Sequence, residues 1–185
     1  MLFGLIVFVV AVLAWAVVVY NFLVRDRNRV AQAWSDVDVQ LTRRHELVPR
    51  LVEIVKGYAS YERAVLSSLA ELRSHGAPGA DGSLASRSET ERAVSSGVKK
   101  LIALVEAYPD LKANENFLDL QRKLVDTENQ IQYSRRYYNG AVNLFNNRIQ
   151  QFPDLLVARL FGFTAAEFFD LDEPGAANAP NVALS

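Results

Sequence analysis

The sequence contains no cysteine and only two histidines. Without cysteine the chain has no disulfide, no thiolate zinc site, no iron–sulfur cluster and no cysteine nucleophile. A zinc-protease motif that began at His45 would need its second histidine where Pro49 stands, and a di-iron bundle would need Glu-x-x-His pairs on two helices. His75 supplies neither pattern. We therefore expect no catalytic, cofactor-binding or metal-binding residue.

Charge of either sign is missing from the first 24 residues, so all 20 basic and 21 acidic residues follow them. The net charge of −1 gives no basic surplus for binding nucleic acid, and we expect no such partner. From Leu2 to Tyr20 only Gly4 is neither apolar nor aromatic. A run of this length predicts a membrane-spanning helix, and we assign residues 1–24 as a transmembrane anchor. The alternative is a cleaved signal peptide, which the missing basic n-region and the long apolar run disfavour.

Basic residues are distributed unequally around the apolar run. Arg25, Arg27 and Arg29 follow it directly, whereas only the α-amino group precedes it. The positive-inside rule counts lysine and arginine close to the membrane, so it places the rest of the chain in the cytoplasm. The expectation is a single-pass membrane protein with a cytoplasmic domain.

After the anchor, apolar residues recur at alternating steps of three and four, the period of a helix seam in a bundle or coiled coil. Three such seams predict an all-α fold, in which the transmembrane helix continues into an antiparallel helical bundle of three long helices plus a short C-terminal helix. No turn signal separates the anchor from the first seam, and only Arg44 and Glu62 interrupt that seam. The first seam is Val30, Trp34, Val37, Leu41, Val48, Leu51, Val55, Tyr58, Val65, Leu69 and Leu72, the second is Val94, Val98, Leu101, Val105 and Tyr108, and the third is Phe117, Leu120, Leu124, Thr127, Ile131, Ser134, Tyr138, Ala141, Phe145 and Arg148 or Ile149.

Glycine, proline and capping patterns mark where the helices begin and end. The glycine-rich stretch 74–88 predicts a flexible connection, with a capping box at Ser86 and Glu89 or at Ser88 and Glu91. Asn114 or Asn116 is expected to cap the third helix. Near the C-terminus, the capping box of Thr164 to Glu167 predicts the short helix. Residues 171–185 are expected to form a disordered tail.

A polar network is expected where charged side chains enter the helix seams. Arg44 lies in the first seam, where a buried cation needs a carboxylate partner. Asp126 and Glu128 point about 200° apart on a helix, so they cannot form one compact site alone. Glu128 and Arg135 share a helix face. We predict an interhelix polar network of Arg44, Asp126, Glu128 and Arg135, with a ligand site as the alternative.

The densest apolar segment outside the anchor runs from Leu155 to Phe169. It either caps the open end of the bundle or contacts a protein partner or the membrane interface. The side chains that we single out as a candidate interaction segment are Leu155, Leu156, Leu160, Phe161 and Phe163.

Three blocks of the sequence resemble the LemA family. The first comprises residues 21–30, 33–52 and 55–58, the second is residues 107–118, and the third comprises residues 126–129, 134–139, 149–153 and 160–163. The resemblance covers about residues 20–170 in order. It implies a bacterial protein with an N-terminal membrane segment and an antiparallel helical bundle, here residues 25–170, and it carries over no catalytic residue, cofactor or substrate.

These expectations favour a role in assembly at the membrane over a role in catalysis. The favoured function is a non-enzymatic scaffold or adaptor of the bacterial inner membrane, which self-assembles into a homo-oligomer or recruits other membrane proteins. The alternative is a cytoplasmic domain that senses a ligand or signal and is coupled to the membrane.

Overall fold

The computed structural model describes residues 1–58, 67, 70 and 83–169. Over this part of the chain it is helical and contains no strand, which confirms the all-α prediction. The five helices of these residues are α1 (Leu2–Tyr58), α2 (Leu84–Val105), α3 (Pro109–Lys112), α4 (Glu115–Gln150) and α5 (Asp154–Leu160).

Helix α1 joins the apolar N-terminal segment to the charged part of the chain without a break, as predicted, and it continues through Pro49. It is long and apolar enough to cross a membrane, with a mean hydropathy of 3.1 in its most apolar stretch. Between Leu2 and Val18 nearly all side chains are exposed, whereas Val19 and Leu23 are buried. An apolar surface that the protein itself leaves uncovered indicates a single-pass membrane anchor. The predicted extension of this helix to Leu72 lies outside the continuously described residues.

The helix ends follow side-chain caps that the sequence predicted only in part. Asn114 caps α4 as expected, because its Oδ1 accepts a hydrogen bond from the backbone N–H of Phe117 at 3.0 Å. Ser83 caps α2, since its hydroxyl oxygen accepts from the backbone N–H of Ser86 at 3.2 Å. The predicted capping boxes at Ser86 and Ser88 are therefore wrong, and residues 84–88 of the predicted connection are helical. Residues 74–82 of that connection lie outside the described residues.

The short C-terminal helix is α5, at Asp154–Leu160, and not the segment from Thr164 onwards. Residues 163–169 are not helical. The carboxamide of Asn146 explains the difference, because its Oδ1 accepts from the backbone N–H of Ala166 at 2.8 Å and its Nδ2 donates to the carbonyl oxygen of Ala166 at 2.9 Å. These bonds occupy both backbone groups that a helix would use. The predicted tail, 171–185, lies outside the described residues.

The chain divides into two compact units. The first comprises Met1–Gln40 and Gln130–Phe168, and the second comprises Leu41–Asn129 with Phe169. The predicted boundary between anchor and bundle at residue 24 thus falls inside the first unit. In that unit α1 and α4 run antiparallel: Asp26 pairs with Arg148 at 3.0 Å, and further along α1 the ring of Trp34 packs on Tyr138 at 5.3 Å between centroids.

The predicted seam of the third helix is buried along its whole length. The ten buried positions are Phe117, Leu120, Leu124, Thr127, Ile131, Ser134, Tyr138, Ala141, Phe145 and Ile149. Its two small hydroxyl side chains donate to their own helix, Thr127 to the carbonyl oxygen of Lys123 at 2.7 Å and Ser134 to that of Ile131 at 3.2 Å. Small polar residues can therefore occupy a buried seam without leaving a group unpaired. The second unit has its own apolar core, formed by Leu47, Val48, Leu51, Val52, Val55, Val94, Val98, Leu101, Val105, Leu111, Phe117, Leu120 and Leu124.

Candidate functional site

In the described part of the second unit, one cation is buried at a helix-seam position. The seam of α1 runs through Leu41, Arg44 and Val48, and the side chain of Arg44 is only 2% exposed. A guanidinium group removed from water is stable only when carboxylates and other acceptors surround it. The geometry around Arg44 therefore decides what this position can do.

Two glutamates and a serine from other helices surround the guanidinium. Its Nη2 donates to a carboxylate oxygen of Glu91 and, at 3.1 Å, to the Glu91 backbone carbonyl. Its Nη1 donates to Oγ of Ser95 and, at 3.0 Å, to Oε2 of Glu128. The Ser95 hydroxyl lies 3.3 Å from the same Glu128 oxygen. Helices α1, α2 and α4 are thus joined by one group of polar side chains, which we call the Arg44 centre: Arg44, His45, Glu91, Ser95 and Glu128.

A histidine of α1 also contacts the rest of the Arg44 centre, through Glu91. Two carboxylates face one guanidinium, and Nε2 of His45 lies 2.8 Å from the second carboxylate oxygen of Glu91. Burial raises the pKa of the Glu91 carboxyl, but the hydrogen bond from His45 and the charge of Arg44 outweigh it and hold this pKa below the usual glutamate value. Glu91 is therefore a carboxylate at neutral pH.

A small cavity adjoins the Arg44 centre. It has a volume of about 150 Å³, and the polar or charged side chains of its wall are Arg44, Ser95, Lys99, Glu128 and Asn129. The apolar part of the wall is formed by Val98, Ile102, Leu124 and Val125. An engineered cavity of about this volume holds one benzene-sized molecule. The site thus combines a small, largely apolar space with one carboxylate and two cationic groups at its edge. Within the described ranges no three histidine, aspartate or glutamate side chains converge as a metal site.

Arg44 and Glu128, two of the four predicted network residues, are in contact, as described above. Asp126 is exposed on α4, and Arg135 is partly buried on the same helix. The sequence reasoning missed Glu91, which it treated as a capping residue. One signal could have found it: Glu91 lies three residues before Val94, in register with the buried seam of α2.

The candidate interaction segment is part of the first unit and has two sides. Phe163 is partly buried, with its ring 6.3 Å from Phe145 and 5.9 Å from Tyr20 between centroids. Leu156, Leu160 and Phe161 are 56%, 79% and 56% exposed, and Leu155 is partly buried. The segment therefore packs on the end of the apolar helix and at the same time presents apolar side chains outward.

Taken together, an exposed apolar helix that continues into helical units with a buried ion-pair centre defines a membrane-anchored α-helical protein. The chain belongs to the LemA family, whose sequence model matches residues 33–184. It is 24% identical to Magnetosome protein MamQ 2 of Paramagnetospirillum magneticum, over 87% of this chain and 68% of the relative. It is 28% identical to Protein LemA of Metamycoplasma hominis, over 83% of this chain and 69% of the relative. Magnetosome protein MamQ of Magnetospirillum gryphiswaldense is 22% identical over 81% of this chain and 64% of its own length.

Proposed function

We propose that the protein is a non-enzymatic, membrane-tethered scaffold that assembles with copies of itself and organises the membrane or recruits protein partners. The observation that carries the proposal is the unbroken helix α1, which leads from the exposed apolar segment into both units. Within the first unit, a continuous helix passes the position and tilt of the membrane segment on to α4, which packs against it.

An exposed groove in the first unit is the surface that we assign to self-assembly. It has a volume of about 270 Å³ and lies between α1 and α4. Val39, Tyr133 and Tyr137 are 59%, 67% and 52% exposed at its wall, and polar side chains complete it: Asp36, Gln40, Gln130 and Ser134. Exposed tyrosines beside polar groups are typical of protein interfaces. Because homo-oligomers are the commonest assemblies of soluble domains, we assign a second copy as the partner.

Cross-linking in the membrane tests this assignment. Because the chain has no cysteine, one introduced cysteine gives one defined position. Val39→Cys places it at the groove, and Ala31→Cys places it on an exposed position of the same helix, about 80° around the axis. In isolated membranes treated with an added oxidant, we expect a disulfide dimer from Val39→Cys and little or none from Ala31→Cys. Equal dimer yields at both positions, or monomer only, would contradict self-assembly through the groove.

We further propose that the units lie in the cytoplasm and that the membrane is the bacterial inner membrane. The support is the position of Arg25, Arg27 and Arg29, which are exposed directly after the apolar segment. In intact cells a membrane-impermeant maleimide should not label Ala31→Cys, and it should do so once the inner membrane is permeabilised. Labelling of intact spheroplasts would place the units on the outer side.

The cavity beside Arg44 supports a second candidate function, a ligand-sensing domain. Its largely apolar wall and the cations of Arg44 and Lys99 suit a small aromatic carboxylate. Under this hypothesis benzoate raises the melting temperature of the detergent-solubilised protein, because a ligand that binds only the folded state stabilises it. The shift should be smaller in Lys99→Gln. Unchanged melting temperatures with benzoate would contradict a ligand-sensing role for the cavity.

A further inference from the structure

The membrane-spanning part of α1 ends at a definite place in the first unit. The stretch Leu2–Tyr20 measures about 28 Å at 1.5 Å per residue, close to the ~30 Å of a hydrocarbon layer. Protein packing begins where that length ends, because Val19 and Leu23 are buried whereas nearly all side chains before them are exposed. Tyr20 thus stands at the depth where aromatic rings favour the membrane interface.

The segment after α5 is held directly against this place. The ring of Phe161 lies 4.8 Å from that of Tyr20 between centroids, and the ring of Phe163 lies 5.9 Å away. The guanidinium of Arg27 stacks on Phe163 at 5.4 Å. Because Tyr20 belongs to the apolar helix itself, a side chain in contact with it has nearly the same depth relative to the bilayer.

Several bonds fix the segment in this position. The C-terminus of α5 closes through the backbone N–H of Phe163, which donates to the carbonyl of Ala158 at 2.9 Å, and through that of Gly162, which donates to Arg159 at 3.3 Å. Further on, Asn146 binds both backbone groups of Ala166. The Tyr138 hydroxyl donates to the carbonyl of Glu167 at 2.8 Å. These hydrogen bonds therefore hold Phe161 beside Tyr20 as part of the folded unit.

The outward side of this fixed segment is apolar. Val157 and Ala158 turn one side of α5 into the unit. Leu156 and Leu160, four residues apart and so on one helix face, are 56% and 79% exposed. Phe152 before the helix is 79% exposed and Phe161 after it 56%. A contiguous apolar surface of this kind is unfavourable in water and typical of an interaction site.

We propose that residues 152–161, which we call the interfacial segment, form a second membrane contact, in the headgroup layer of the leaflet where α1 leaves the bilayer. The occupant of this apolar surface is lipid, since the surface is continuous through Tyr20 with the part of α1 that crosses the membrane. Exposed Arg159, within the segment, and exposed Arg25, five residues after Tyr20 in α1, supply cations for lipid phosphates. The proposal rests on the anchor and is independent of self-assembly.

Tryptophan quenching by brominated lipid tests the depth of the segment. In the full-length chain with Trp15→Phe and Trp34→Phe, a single tryptophan is introduced by Phe161→Trp or, in a second variant, by Leu160→Trp at a more exposed position. The matched control is Tyr133→Trp, also exposed, which lies on α4 about 22 Å along the helix from Arg148, the partner of Asp26. The positive standard is a chain with Trp15 as its only tryptophan. Each protein is placed singly in nanodiscs of lipid that is brominated near the glycerol end of the acyl chains.

We expect both tryptophans of the interfacial segment to lose as large a fraction of their emission as Trp15 does, and that at Tyr133 to lose almost none. Emission that brominated lipid leaves unchanged and aqueous iodide quenches would show that the segment lies in water. Emission that neither reagent quenches would show that protein covers it. Either result at both positions overturns the proposal.

Discussion

Arg44 shows how a single residue can join helices when it stands where an apolar side chain is expected. Its neighbours in the α1 seam are aliphatic, and a leucine there would pack without any partner. The arginine instead requires Glu91, Ser95 and Glu128 to be present and correctly oriented. Such a requirement makes the packing of the second unit specific, at the cost of desolvating three charged groups.

Removing the guanidinium leaves two carboxylates without their cation, one of them buried. We expect Arg44→Ala to lower the free energy of unfolding by about 3–5 kcal/mol, the range for breaking a buried ion pair from one side. Arg43→Ala is the matched control, because Arg43 is the adjacent residue and is exposed. Its cost should stay within about 0.5 kcal/mol. Denaturant unfolding in detergent compares the two, and equal costs would show that the ion pairs of Arg44 contribute nothing particular.

The Arg44 centre also predicts how stability depends on pH. The pKa of Glu91 is lower in the folded than in the unfolded chain, so its contribution is complete above the unfolded value of about 4.3 and is lost as the pH falls through the folded value. Unfolding free energies measured from neutral to acidic pH should fall less steeply in Glu91→Gln than in the wild type. Glu89→Gln, an exposed position on the same helix, should keep the wild-type slope. Parallel slopes in all three proteins would contradict the assignment.

At the residue scale the sequence predicted that Arg44 needs a partner, but it identified only one of the two glutamates. The reason is physical. A charged residue in an apolar seam shows that a residue of opposite charge is required, but that residue can come from any helix that reaches it. Glu91 follows Ser88 at capping-box spacing, so a local interpretation competed with the correct one. The choice between them depends on where α2 begins, and Ser83 decides that.

Among the elements, α5 and the residues after it differ most from the sequence expectation. Apolar periodicity predicted the seams because it repeats over many turns, and errors at single positions average out. The C-terminal segment is too short for that. A capping box at Thr164 is a local preference worth about 1 kcal/mol, and the tertiary bonds of Asn146 and Tyr138 override it.

The turn after α5 depends on one glycine. Gly162 has φ of +69°, a conformation that costs a residue with a Cβ about 1–2 kcal/mol. No atom lies within 4 Å of an added Cβ, so Gly162→Ala should be destabilising by about this amount through its backbone alone. Gly140→Ala, also without a neighbour at its Cβ but inside α4, should instead stabilise by about 0.5–1 kcal/mol. Melting temperatures of the two variants should move in opposite directions, and a shift in the same direction would contradict the argument.

On the scale of the whole molecule, the sequence pattern does not predict that the chain divides into two units. The seams of α1 and α4 continue through residues 40 and 130 without a change of period, and the boundary between the units lies there. Periodicity reports which face of a helix is buried and not which helix covers it. The sequence therefore predicted the helices and their buried faces, but not the division of α1 and α4 between two units.

The division into units has a consequence for how the protein is made. The second unit is nearly contiguous in sequence, whereas the first needs residues 1–40 and 130–168 together. At about 5–20 residues per second, the ribosome completes residue 168 about 2–8 s after residue 129. During that interval the buried face of the early part of α1, including Leu23 and Val37, has no covering helix, although the membrane can already hold the residues before it. We therefore expect the second unit to fold before the first. The contact between Phe163 and Tyr20 should be among the last to form.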